Sequence, residues 1–152
     1  MRLRTVTAAL AFVTLLVGAL SAQPAAAASY CPNPAHAKPA KVPPDLVAPL
    51  AKAFALEPGA LGAAFVRCVG PKLMGCMVGA NLVCDKADQR ARCRGATAWC
   101  RENPGATVIP MAATGHATIY EWSCNGRNAV PGKALVSVDG QGYIANNWKG
   151  VP

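Results

Sequence analysis

Seven cysteines, at positions 31, 68, 76, 84, 93, 100 and 124, lie in a chain of only 152 residues, and no other feature constrains the fold as strongly. In so short a chain a set this dense reads as a disulfide framework built in an oxidising compartment, because cross-links remove conformational entropy from the unfolded state of a small domain. An odd number leaves three bridges and one thiol. Zinc is the rival chemistry, but no C-x-x-C pair occurs and the only histidines are His36 and His116, so a closed tetrahedral site is poorly supplied. Nothing in the pattern asks for a metal or a cofactor.

The start of the chain agrees with export. Arg2 and Arg4 precede an apolar run over residues 6–20, followed by small residues ending Ala25-Ala26-Ala27-Ala28, which is the order of a secretory signal peptide, with cleavage expected after Ala28. The apolar run covers 15 positions, whereas a membrane-spanning helix needs about 20, so no membrane span is expected in the mature form. Cys31 follows Ser29-Tyr30 and lacks the small residue a lipidation site would place before it. Removing 28 residues from 152 leaves 124, the size of one domain. Without Arg2 and Arg4 the 15 Lys and Arg fall to 13 against 7 Asp and Glu, a formal net charge of +6. Such a chain is expected in the periplasm or outside the cell, where its charge favours an anionic envelope polymer or a protein partner.

Residues 29–44 contain Pro32, Pro34, Pro39, Pro43 and Pro44 and read as an extended arm pinned at Cys31, leaving 45–152 as a single domain. A short helix is expected over 45–56, capped by Asp45, with Leu46, Leu50 and Phe54 on one face. Residues 63–83 are apolar and broken at Gly70-Pro71 and around Gly79 to Asn81, which reads as two or three antiparallel strands. A turn at Gly70-Pro71 sets position 68 opposite 73 and 76 opposite 65, so Cys68 and Cys76 must find partners elsewhere. A second helix is expected over 94–102, stopped by Asn103-Pro104-Gly105. Tyr120, Trp122 and Cys124 alternate with Glu121 and Ser123 up to Asn125-Gly126, a strand ending in a hairpin turn. Strands near 134–138 and 143–148 would continue a C-terminal meander. The fold class is therefore α+β, an antiparallel sheet of four to six strands with two short helices, stapled by disulfides.

Pairing of the cysteines stays open among 105 arrangements. If the second helix begins early enough to include it, Cys93 shares a face with Ala96 and Cys100, and either thiol then reaches the same neighbour. The favoured pair is Cys84 with Cys100, leaving Cys93 unpaired and Cys31, Cys68, Cys76 and Cys124 to form the other two bridges.

Three pieces together, Val66-Arg67-Cys68-Val69-Gly70 with Val78-Gly79-Ala80-Asn81-Leu82, Trp99-Cys100-Arg101-Glu102-Asn103-Pro104, and Thr114-Gly115-His116 with Tyr120-Glu121-Trp122, resemble a group of small exported Cys-rich bacterial proteins that has no known activity. The resemblance implies export and one domain, and adds nothing on chemistry. A shorter stretch, Tyr120 through Gly126, is similar to the aromatic-x-Cys-x-Gly strand of periplasmic lysozyme inhibitors, which resemble all-β barrels.

Two clusters carry candidate chemistry. His116, Tyr120, Glu121 and Arg127 resemble the acid, base and cation that secreted ribonucleases set on a sheet; strand alternation, however, sends Tyr120 and Glu121 to opposite faces and leaves His116 in a loop. Lys86, Arg90, Arg92, Arg94 and Arg101, diluted by Asp85 and Asp88, read either as a footprint for an anionic polymer or as a solvated face. Nucleic acid is disfavoured as a partner, because only Trp99 is near enough to stack a base. Asp85 and Asp88 are too few oxygens for calcium. Cys93 beside Arg92 and Arg94 is a thiol in a cationic setting. A non-enzymatic binding or interaction module ranks first, ahead of a small cationic hydrolase centred on His116 and Glu121 and of a lysozyme-inhibitor-like protein.

Overall fold

The computed structural model describes residues 25–152. The leader expected over 1–28 lies outside the described residues except for its last alanines, which open the short helix α1 (Ala25–Tyr30). The expected α+β class is found, with the strands divided between a four-stranded and a two-stranded antiparallel sheet. Among the described residues no helix is long and apolar enough to cross a membrane.

The first sheet is built on the hairpin of β2 (Ala64–Val69) and β3 (Lys72–Met77). Gly70, with φ +56°, supplies the left-handed backbone the tight turn before Pro71 requires. The register is the expected one, Cys68 opposite Leu73 and Phe65 opposite Cys76. Alternation then gives the sheet two faces. Val66, Cys68 and Leu73 meet helix α2 (Val47–Phe54) through Leu46, Leu50 and Ala51. The opposite face carries Cys76, packed with Cys84, Tyr143 and Trp148. Gly75 is the point of closest approach: a Cβ there would sit 2.1 Å from Leu50 Cδ1.

Helix α2 is entered through a 3₁₀ turn, Pro44–Leu46, and no side chain caps either element, so Asp45 does not supply the cap expected of it. The chain before it joins the sheet: β1 (Ala40–Lys41) pairs Ala40 with Val66 and Lys41 with Phe65. Pro39 and Pro43 bracket that strand and hold it to two residues on the sheet edge.

Between β3 and the last strand, β6 (Lys149–Gly150), lies a second unit made of α3 (Arg94–Glu102), α4 (Met111–Thr114), β4 (Tyr120–Asn125) and β5 (Asn128–Ala134). Helix α3 spans the residues expected of it. Trp122 and Cys124 point inward from β4 onto Ala96, Cys100 and Ile109. Strand β5 runs through Pro131, set opposite Trp122, with the register shifting between Tyr120 and Trp122. The outer side of β4 is taken by Ile109 N to Trp122 O and Cys124 N to Ala106 O, which leaves β5 as the edge strand, where proline is tolerated.

Two further expectations are corrected. Cysteine pairing is Cys31–Cys68, Cys76–Cys84 and Cys100–Cys124, so Cys84 does not pair with Cys100. Those two thiols lie in different units: Cys84 folds back on the β2–β3 sheet, while α3 sets Cys100 against β4. Nor does the meander continue past β5. Residues 135–148 form no strand and keep two isolated bridges, Val138 to Ile144 and Tyr143 to Lys86, and β6 pairs with β3 instead. The cause is Arg67, whose side chain is 1% exposed and draws residues of this segment inward.

The candidate binding groove and its surroundings

Strand alternation places Arg67 on the face of β2 away from α2, among apolar neighbours. Its guanidinium lies 4.3 Å from the Tyr143 ring centroid and 4.4 Å from that of Trp148. It donates to Asp139 Oδ2 and Gln141 Oε1, and Gln141 Nε2 donates to Cys68 O at 3.1 Å. Desolvation works to raise the pKa of Asp139. The backbone N–H of Tyr143, the Arg67 guanidinium and the N–H of Gln141 outweigh it and hold the carboxyl below its ordinary range. This buried cation ties residues 139–148 to the sheet. Sequence reasoning missed it, although one arginine inside Phe65-Val66-Arg67-Cys68-Val69 was the available signal.

The largest concavity among those described lies in the second unit. It is a groove of about 1100 Å³ lined by residues 88 and 90–94, the outer stripe of α3, Thr114 and Ala129. On α3 the stripe is Arg94, Thr97, Ala98 and Arg101, spaced three, four and seven apart and so on one face. The inner face of the same helix buries Ala96 and Cys100. Helix α4 lies very close behind: a Cβ on Gly95 would sit 2.0 Å from Ala113 O. Thus one helix presents two arginines outward because its other side is fixed by a disulfide and a glycine contact.

The loop leading into α3 is fastened before it reaches the groove. Ala87 N donates to Gly142 O at 2.9 Å, Asp88 N to Ala117 O at 2.7 Å, and Ile119 N to Asp88 O at 3.2 Å. Arg90 closes back on Asp88 with Nε to Oδ1 at 2.8 Å and Nη2 to Oδ2 at 2.6 Å. That hydrogen bond is the main reason Asp88 titrates below the usual carboxylate range. Among the described residues the ion pairs are Arg67 with Asp139 and Arg90 with Asp88. Arg92, Arg94 and Arg101 therefore reach the groove with no acidic partner. Cys93, half-buried and without a disulfide, caps α3 by accepting from Ala96 N at 3.5 Å.

The sequence-derived basic cluster is thus largely brought together, with one departure. Lys86 leaves it: its Nζ lies 5.5 Å from the Tyr143 ring centroid and it lines a separate recess with Phe65 and Cys84. Trp99 packs toward Cys100 and Trp122 and does not line the groove. Thr97, Thr114 and Ala129, which complete the walls, carried no sequence signal of their own.

His116, Glu121 and Arg127 sit on three successive pieces of the second unit. His116 is half-buried in the turn after α4, Glu121 is exposed on β4, and Arg127 is exposed in the β4–β5 turn. Glu121 precedes the end of its strand by four residues, roughly 13 Å at about 3.3 Å per residue. Among the described residues no hydrogen bond or ion pair joins any two of the three, and none of them lines the groove. No three His, Cys, Asp or Glu among the described residues converge to hold a metal ion.

Fold and groove together define a small disulfide-stapled α+β module with a cationic cleft on one face. Set beside known proteins, the chain matches no family model, no curated protein and no solved structure.

Proposed function

We propose that this chain is an exported binding module rather than an enzyme, and that it holds an anionic partner in the arginine groove. The observation that carries the reading is that Arg92, Arg94 and Arg101 share one concave surface whose single carboxylate, Asp88, is already paired with Arg90. Three unpaired guanidinium groups lining one concavity give it an uncompensated positive field, and an anion in the groove neutralises it. The leader-like first residues and the three disulfides support action in an oxidising compartment, periplasmic or secreted. That no hydrogen bond or ion pair joins His116, Glu121 and Arg127 among the described residues supports binding over the hydrolase alternative.

The test is retention of the purified, oxidised protein on heparin–agarose along a salt gradient. Reversing Arg92, Arg94 and Arg101 to Glu is expected to abolish retention. Reversing the exposed Lys38, Lys41 and Lys133, which changes net charge equally, is expected to leave most of it. Equal loss in both variants would show that net charge alone acts, and the groove reading fails. RNA cleavage by the protein, abolished by His116→Ala, would instead establish the hydrolase.

A further inference from the structure

We propose that the anion this groove takes is a linear phosphate polymer, with charges on a flexible backbone that carries neither base nor sugar ring; this rests on the arginine groove being the binding surface. Four properties of the lining select that class. Every cation in it is an arginine, whose planar fork donates paired hydrogen bonds to phosphate oxygens. No aromatic ring lines it, so neither bases nor sugar rings find a face to stack on. Its apolar residues are alanines, too small to receive the aromatic or aliphatic anchors on which a protein partner depends.

The fourth property is the balance of donors and acceptors. The lining contains no side-chain amide and a single carboxylate, Asp88, both of whose oxygens are taken by Arg90. An acidic peptide brings backbone N–H groups, a uronic-acid polymer brings hydroxyls and a nucleic acid brings base N–H groups. Beyond the hydroxyl oxygens of Thr97 and Thr114, whose protons go to Cys93 O and Gly115 O, each of these donors would lose water without gaining a side-chain acceptor in return. A polyphosphate chain brings acceptors alone. Length matters too: Arg94 and Arg101 are seven residues apart on α3, about 10 Å at 1.5 Å per residue. A run of phosphates spans that distance and a single phosphate does not.

The experiment titrates the oxidised full protein with linear inorganic polyphosphate, polyglutamate, polygalacturonate and polyuridylate of matched charge number, and with orthophosphate, at several salt concentrations. Polyphosphate is expected to bind at least tenfold more tightly than the other polymers and than orthophosphate. The logarithm of its affinity should fall against the logarithm of salt with a slope of about −2, from three unpaired arginines each contributing about 0.7. Arg92→Gln and Arg101→Gln should each reduce that slope by about 0.7, and Lys133→Gln should leave it unchanged. Equal affinity for all the polymers overturns the phosphate assignment while sparing the groove. Tighter polyglutamate binding replaces it with an acidic protein partner. Failure of every polymer to bind, or binding that Arg92→Gln and Arg101→Gln leave intact, defeats the groove reading as well.

Discussion

Arg67 is a charge held where water cannot reach it, and what surrounds it determines the shape of the chain from 135 onward. Two aromatic faces, a carboxylate and an amide oxygen replace its hydration. Removing the carboxylate strands the cation, so Asp139→Asn is expected to cost about 3 kcal/mol at neutral pH, read from urea unfolding. The pH dependence has a definite sign. Because Asp139 titrates lower in the folded protein than in the unfolded chain, its contribution is complete above the ordinary carboxylate value near 3.9. It is lost as pH falls through the lower folded value. Wild type should therefore lose stability below about pH 5, and Asp139→Asn should show a shallower acid limb. Identical acid limbs would mean that Asp139 is not the titrating link. This residue-scale network also explains why the last strands were illegible in the sequence. Residues 135–148 alternate well enough to suggest strands, but Asp139 and Gln141 answer a buried arginine more than seventy positions earlier.

Elements whose ends are set locally were legible. Helix α3 stops where Asn103-Pro104-Gly105 says it should, and the β2–β3 register followed from its turn. Elements set by contact with another element were not. Helix α2 ends one turn before Glu57-Pro58-Gly59 because Ala55 takes the left-handed conformation, φ 56°, and terminates it. Alanine is strained there and glycine is not, so Ala55→Gly should stabilise the protein by about 0.5–1 kcal/mol after the greater freedom of the unfolded chain is counted. A lowered midpoint in thermal unfolding would contradict this. Cysteine partners belong to the same class of question. Cys93 and Cys100 were expected on one helix face, but α3 begins at Arg94 and leaves Cys93 as its extended N-cap, and packing of α3 on β4 chooses Cys124 for Cys100. Likewise the basic cluster was visible as charge, whereas its concavity depends on α4 and β5 arriving beside α3.

Across the whole molecule the three bridges are distributed by unit. Cys31–Cys68 and Cys76–Cys84 fasten opposite faces of the first sheet, and Cys100–Cys124 fastens the unit that carries the groove. Their sequence separations of 37, 8 and 24 residues rank them by the chain entropy each removes. Loop closure gives roughly 4, 2.5 and 3.5 kcal/mol in that order. Paired Cys→Ala variants should lose stability in the same order, checked by denaturant midpoints. If the loss of Cys76–Cys84 costs most, packing rather than loop closure dominates. Thiol titration of the native protein should find the single group of Cys93, and seven after reduction under denaturing conditions.

Helix α3 divides its labour by side. Its hidden flank, bolted by sulfur and pressed against Ala113 at Gly95, tolerates almost no alteration; on its outer flank Thr97 ties back to Cys93 O at 3.0 Å, while Arg94, Ala98 and Arg101 stand exposed. Those three exposed positions are accordingly free to be rewritten, and a chain bearing other letters there would keep the same chassis while greeting a different guest.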